Sequence, residues 1–235
     1  MWAAIFSPSN QARIATRQAI ETHFYNGPMS GVIQVDHPLI QCHLTRLRDE
    51  STSPAEFRHL VRRLSTLLAY EATKGLACES TTVTTPLTQT SGQRLAERIG
   101  LVPILRAGLG MVDPVLDLIP SAEVWHLGLY RDEATAQPVH YYSKLPPGRP
   151  VDIALVIDPM LATGGSAIAA LQTLREWGVP KLKVLSIIAA PTGVAAVEAA
   201  FPDVEAYLCQ IDEQLNANKF IVPGLGDAGD RIFNT

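Results

Sequence analysis

Five short apolar runs, at residues 101–105, 124–129, 153–157, 184–189 and 204–209, show almost no alternation of polar and apolar side chains. Runs of this kind suit strands covered on both faces, and such strands belong to parallel sheets flanked by helices. The stretches between them support this. Residues 167–177 carry apolar side chains at helical spacing and stop at Gly178, and residues 194–201 repeat the pattern. Upstream, Ser53-Pro54-Ala55-Glu56 has the spacing of a capping box with proline at the first helical position. Phe57, Leu60, Val61, Leu64, Leu67 and Leu68 follow, and Gly75 supplies the expected stop. The threonine-rich residues 79–92 read as extended segments and turns. Strand, loop, helix, strand in alternation predicts an α/β fold around a parallel sheet, with ligands at the carboxyl ends of the strands.

Composition narrows the function classes. A chain of 235 residues, 47% hydrophobic, has material for one large or two small domains. Its net charge of -4 offers no general attraction to nucleic acid or to an anionic membrane, so any anion must be held locally. No apolar run approaches the ~18 residues of a membrane span. Cys42, Cys78 and Cys209 are far apart and lack metal-ligand spacing, which predicts reduced thiols in a cytoplasmic protein. Residues 1–30 lack the order of a signal peptide, and their thin apolar face allows at most a short helix at 10–25, ended by Asn26-Gly27-Pro28. They are treated as a poorly ordered N-terminal extension, with Met29 a second plausible start and residues 31–235 forming the main domain.

The stretch from Val156 to Ser166, VIDPMLATGGS, sets a carboxylate at a strand end and follows it with a loop nearly free of side chains. Glycines let backbone N–H groups approach a phosphate, the following helix contributes partial positive charge, and Thr163 and Ser166 add hydroxyl donors. A tight turn capping a helix is the structural alternative. Asp158 would repel a phosphate held beside it, so its use is with hydroxyls of the same ligand or with a bridging metal, and a phosphorylated sugar fits both halves. The loop is neither a Walker A motif nor a dinucleotide fingerprint.

These residues resemble the phosphoribosyl pyrophosphate (PRPP) loop of the type I phosphoribosyltransferases, and the Asp-Pro variant DPMLATGGS is similar to that of the uracil phosphoribosyltransferase family. Most of the superfamily has two adjacent acidic residues where this chain has Asp158-Pro159. Three further segments carry the same resemblance. Pro103-Ile104-Leu105-Arg106-Ala107-Gly108-Leu109-Gly110 looks like the family's pyrophosphate loop, and arginine's planar donors grip phosphate oxygens in pairs. Tyr130-Arg131-Asp132-Glu133 with Pro138-Val139-His140-Tyr141-Tyr142 is similar to its flexible β-arm. Residues 221–230, Ile-Val-Pro-Gly-Leu-Gly-Asp-Ala-Gly-Asp, resemble its C-terminal uracil-binding segment. Including His37-Pro38-Leu39 and residues 68–73, the resemblance covers 36–235.

The resemblance implies transfer of the phosphoribosyl group from PRPP to uracil, giving uridine monophosphate (UMP) and pyrophosphate in pyrimidine salvage. It implies catalytic roles for Asp158, Arg106 and Arg131. PRPP binding would involve these three together with Pro159, Met160, Leu161, Ala162, Thr163, Gly164, Gly165, Ser166 and Asp227. Uracil binding would fall to Ile221, Gly226, Asp227 and Ala228, whose backbone groups suit an acceptor, donor, acceptor edge. Mg2+ would be the cofactor, held mainly through PRPP. A homo-oligomer, dimer or higher, and GTP as an activator are implied as well. His23, His37, His43, His59, His126 and His140 stand outside the matched loops and are expected to be structural or solvated, which leaves no residue assigned as general base. Two alternatives remain at this point: a type I enzyme acting on a purine or orotate, and a regulator of the same fold that binds RNA, against which the absence of clustered basic residues speaks.

Overall fold

Ile99–Pro103 and Ile153–Ile157 are buried at every position, as unalternating apolar runs require of central strands. The computed structural model describes residues 31–131, 138–143 and 145–235; the expectations for residues 1–30 and for Asp132 and Glu133 lie outside these. Along the chain come β1 (Val32–Gln34), α1 (Pro38–Arg48), α2 (Pro54–Ala72), β2 (Cys78–Thr84), β3 (Gln89–Leu95), β4 (Ile99–Pro103), α3 (Leu109–Leu118), β5 (Glu123–Val124), β6 (Leu127–Arg131) and β7 (Pro138–Ser143). There follow β8 (Ile153–Ile157), β9 (Met160–Leu161), α4 (Gly165–Trp177), β10 (Lys181–Ala189), α5 (Pro191–Ala200), β11 (Glu205–Ile211), β12 (Gln214–Leu215), β13 (Ile221–Val222) and α6 (Ala228–Phe233).

The central sheet runs β1-β11-β10-β8-β4-β5, all parallel, with the two-residue β9 added to β10. One core, containing Phe57, Leu60, Leu64, Met111, Leu155 and Ile232, lies under α2, α3 and α6. The other, with Val156, Leu171, Leu174, Val194 and Leu208, lies under α4 and α5. Helices on both faces explain why the central strands carry no polar side.

Local signals account for most helix ends. The Ser53 side chain accepts the Glu56 N–H at 3.3 Å, and Gly178, at φ +99°, closes α4 in the left-handed region that favours glycine. His37 also proves structural, its Nδ1 accepting the Leu39 N–H at 3.1 Å to cap α1. Two expectations need correction. The run at 124–129 is two strands: β5 ends on the central sheet, while β6 leaves it to pair antiparallel with β7. Helix α2 ends at Ala72 with Thr73 as its cap, three residues short of Gly75 plus the turn between them. Cys42 and Cys78 are exposed, and only Cys209 is a buried thiol, its ionisation suppressed by burial. The glycine-rich C-terminus contains a helix, α6, as well as turns.

Candidate active site

Two loops leave the sheet side by side at the carboxyl ends of β4 and β8. Ile104 N–H donates to Ile157 O at 3.0 Å, and a Cβ on Gly108 would lie 2.5 Å from that same carbonyl, so the Arg106 loop rests directly against the strand that delivers Asp158. Only glycine permits this approach. Asp158 N–H donates to Leu185 O, and the Pro159 carbonyl accepts from both Ile187 and Ile188 N–H. The loop is therefore tied to β10 before Met160 and Leu161 form β9.

The glycine turn has a firm support behind it. Gly164 has φ +83°, a conformation that glycine adopts without penalty, and a Cβ there would sit 2.9 Å from Gly193 O. Gly193, in the first turn of α5, is itself pressed against Ala162 O and Leu161 O. Helix α4 begins at Gly165 with no side chain capping it, so the amides of the Thr163–Ser166 region are offered to an anion. Thr163, Gly165 and Ser166 are half-buried at this position.

Asp158 is half-buried at the base of this arrangement, its Oδ1 accepting the Met160 N–H at 3.2 Å. Burial pushes its carboxyl up to about 7; the Met160 amide works against that shift, and the negative charge of Asp227 adds to it. The C-terminal segment reaches the same cleft through Arg106. Asp227 caps α6, its Oδ1 accepting the Asp230 N–H at 2.9 Å. Asp230 in turn accepts from Arg106 at 2.8 Å, and that arginine holds the Asp230 carboxyl below its usual range. Arg106 also crosses the face of Gly229, where a Cβ would be 3.5 Å from its guanidinium.

Arg106, Asp158, Asp227 and the 162–166 loop are thus brought together from three separate regions of sequence. Ile221 lies buried in β13, and Gly226 has φ +80° in the turn before α6. Ala228 is completely buried in the core beneath α2, so its methyl group is a packing element. Arg131 ends β6 opposite Pro138. The sequence did not single out Asp230, Arg48, Asp212 or Arg231. The last three bind the 221–227 turn from behind: Arg48 donates to Gly224 O at 2.6 Å and Arg231 to Leu225 O at 2.8 Å.

The charge of Asp227 acts on Asp158, and a divalent cation between ligand and protein would relieve that repulsion. Among the described residues no group of three or more His, Cys, Asp or Glu side chains gathers. A Mg2+ at this cleft would take most of its ligands from oxygens of a phosphorylated ligand, the usual habit of this ion.

Comparison with known proteins agrees with the geometry. Residues 34–235 match the family model described as uracil phosphoribosyltransferase. The chain is 60% identical over 207 residues to a uracil phosphoribosyltransferase of Roseiflexus sp. (strain RS-1), covering 88% of this chain and all of that protein. It is 53% identical over 208 residues to that of Symbiobacterium thermophilum, with the same coverage. Among solved structures, the AQ2163 protein from Aquifex aeolicus superposes with a TM-score of 0.81 at 38% identity, over 86% of this chain and 97% of that one. An adenine phosphoribosyltransferase from Leishmania donovani shares the fold, with a TM-score of 0.52 at 14% identity over 83% of this chain and 89% of that one. With the PRPP-type loop, its neighbouring arginine and the C-terminal turn all in one cleft, the chain belongs to the uracil phosphoribosyltransferase family.

Proposed function

We propose that the cleft divides the family reaction, PRPP plus uracil giving UMP and pyrophosphate, among three groups of residues. The Thr163–Ser166 amides and hydroxyls hold the 5′-phosphate of PRPP. Arg106 and Arg131 receive the charge that collects on the departing pyrophosphate. The turn from Ile221 to Ala228 reads uracil through backbone groups. In the displacement, uracil N1 bonds to the anomeric carbon as the bond to pyrophosphate oxygen breaks, and the N1 proton passes to solvent water. Asp158, below the ribose, offsets the positive charge on the ring, and Asp227 contacts PRPP or its metal shell. Mg2+, when bound, draws charge from the pyrophosphate oxygens.

The observation that carries this reading is the 2.8 Å bond from Arg106 to Asp230, which joins the pyrophosphate loop to the base segment. It makes one site of two loops 124 residues apart in sequence. The test is direct: incubate the protein with uracil, PRPP and Mg2+, follow UMP, and repeat with each component omitted and with cytosine, orotate, adenine and hypoxanthine in place of uracil. UMP formation only in the complete uracil mixture is expected; transfer to another base in preference would overturn the assignment.

The reading extends to assembly and regulation. The β2–β3 hairpin carries Leu87 at 95% exposure together with exposed Val83 and Leu95, which supports a homo-oligomer. Sedimentation would measure it. GTP as activator rests on family resemblance alone and is tested by initial rates with and without the nucleotide. A cytoplasmic location accords with free thiols at Cys42 and Cys78 and with the lack, among the described residues, of any helix long and apolar enough to cross a membrane.

A further inference from the structure

Asp212 is the one charged residue among those described that is buried, at 6% exposure, and it belongs to none of the loops assigned above. It follows β11 and faces Arg48 at the end of α1. Arg48 donates through Nη2 to Asp212 Oδ1 at 2.5 Å and through Nη1 to Oδ2 at 2.8 Å. Neither partner is used up by the other. Arg48 Nη1 also donates to Gly224 O at 2.6 Å, while Asp212 Oδ2 accepts the Gly224 N–H at 3.0 Å. One ion pair thereby fixes both backbone groups of a single residue in the 221–227 turn.

A second arginine works from the next residue. Arg231 Nη1 donates to Leu225 O at 2.8 Å and to Leu47 O at 2.7 Å, and Nη2 donates to Asp49 O at 2.6 Å. Its guanidinium lies 4.3 Å from the centre of the Phe57 ring. Both arginines thus tie successive carbonyls of the turn to the carboxyl end of α1. The turn needs such support. Gly224 at φ +65° and Gly226 at φ +80° are two left-handed glycines within three residues, a backbone with many alternatives when it is not held.

We infer that Arg48, Asp212 and Arg231 are positioning residues that hold the base-reading turn in its binding conformation before uracil arrives. This deepens the reading of the turn as the uracil site and rests on it. A turn that is already ordered gives up less conformational freedom when it binds the base, so the clamp acts on uracil affinity and on discrimination between bases. It acts less on PRPP, because neither arginine hydrogen-bonds to the 158–166 loop and Asp227 is the single residue of the turn assigned to PRPP.

The experiment uses the full chain with Arg48→Lys, which keeps a positive charge beside Asp212 but cannot span Asp212 and Gly224 O as a fork. Loss of one charge-assisted bond predicts a rise in KM for uracil on the order of tenfold, with kcat and the KM for PRPP within about twofold of the parent. Cytosine should compete better against the variant than against the parent. Arg98→Gln, which breaks the ion pair with Glu123 beside the amino end of β4, serves as the control and should not move the uracil KM. Equal changes in both KM values, or no change in either, would overturn the inference. Should Arg48→Lys fail to fold, hydrogen exchange at the Gly224 amide of the unmodified protein decides: protection without uracil supports a pre-set turn, and protection that appears only on adding uracil refutes it. UMP formation by the unmodified protein is measured in parallel, so a failed clamp is told apart from a wrong assignment of the reaction.

Discussion

Replacing Gly193 with alanine would push on the proposed phosphate loop from a helix that contributes none of the residues assigned to PRPP. A Cβ at 193 would lie 2.4 Å from Ala162 O and 2.7 Å from Leu161 O, where ordinary contact begins at 3.4 Å, so the loop and the first turn of α5 must separate by about 1 Å. The opposing atoms are backbone, and no change of rotamer relieves them. Alanine gains up to about 1 kcal/mol over glycine within a helix, against about 1–3 kcal/mol for forcing the contact apart. The net loss, up to about 3 kcal/mol, should lower Tm by as much as roughly 12 °C in a chain of this size. Activity should suffer more than stability, because a displacement of about 1 Å at a group that orients the substrate can cost as much as 10²-fold. Steady-state UMP formation at saturating uracil and varied PRPP, alongside thermal melting, makes the measurement; kcat/KM for PRPP should fall at least about tenfold. Gly75→Ala, with nothing within 4 Å of the new methyl, is the matched control. A folded Gly193→Ala protein with an unchanged kcat/KM for PRPP would refute the idea that α5 holds this loop in place.

Further outcomes follow from the same geometry. With the Asp158 carboxyl raised from 3.8 to about 7, the folded chain binds more protons than the unfolded one between those values, so stability is lost as pH rises through them. Asp158→Asn should therefore melt like the parent near pH 4 and above it at pH 8, by about 1–3 kcal/mol, while UMP turnover falls far more than uracil binding; parallel melting curves across pH would contradict the burial argument. Cytosine should be a poor substrate, since its exocyclic amine meets a donor where uracil's O4 meets the same donor as an acceptor, a mismatch of about 1–3 kcal/mol or more; comparable ribosylation of both bases in competition would sink the backbone-reading assignment. Deleting residues 1–28 should leave Tm and activity nearly intact, as the family match begins at residue 34; an insoluble or inactive product would show that the boundary is wrong.

The parts of this molecule that the sequence exposes are those whose cause is local. Ile153–Ile157 announces a central strand because all five side chains are apolar, and Gly178 announces a helix end because only glycine takes φ +99° readily. Asp158 and the Thr163–Ser166 loop could be read for the same reason: strand, carboxylate and glycine turn are contiguous. Helix α3 escapes such reading because Gly108 and Gly110 flank its start and Pro114 interrupts its interior, all signs of a loop; burial of Met111, Val112 and Val115 outweighs them. Helix α6 could have been found from the Asp227-x-x-Asp230 spacing, which the glycines around it obscure. Nothing local marks Arg48 or Asp212, whose pairing spans 164 residues and exists only once α1 and β11 have been folded together.

The pairing of Arg106 with Asp230 also imposes an order in time. The chain is made from its amino end, and domains begin to fold while synthesis continues. Every strand of the central sheet, with Asp158 and the glycine turn, precedes residues 221–233 in the chain. On the proposed division of the cleft, the residues assigned to the sugar phosphate are therefore made before those assigned to the base. Arg106 must wait for Asp230, the last of its partners to be synthesised, and the final helix of the chain is what ties the two halves together.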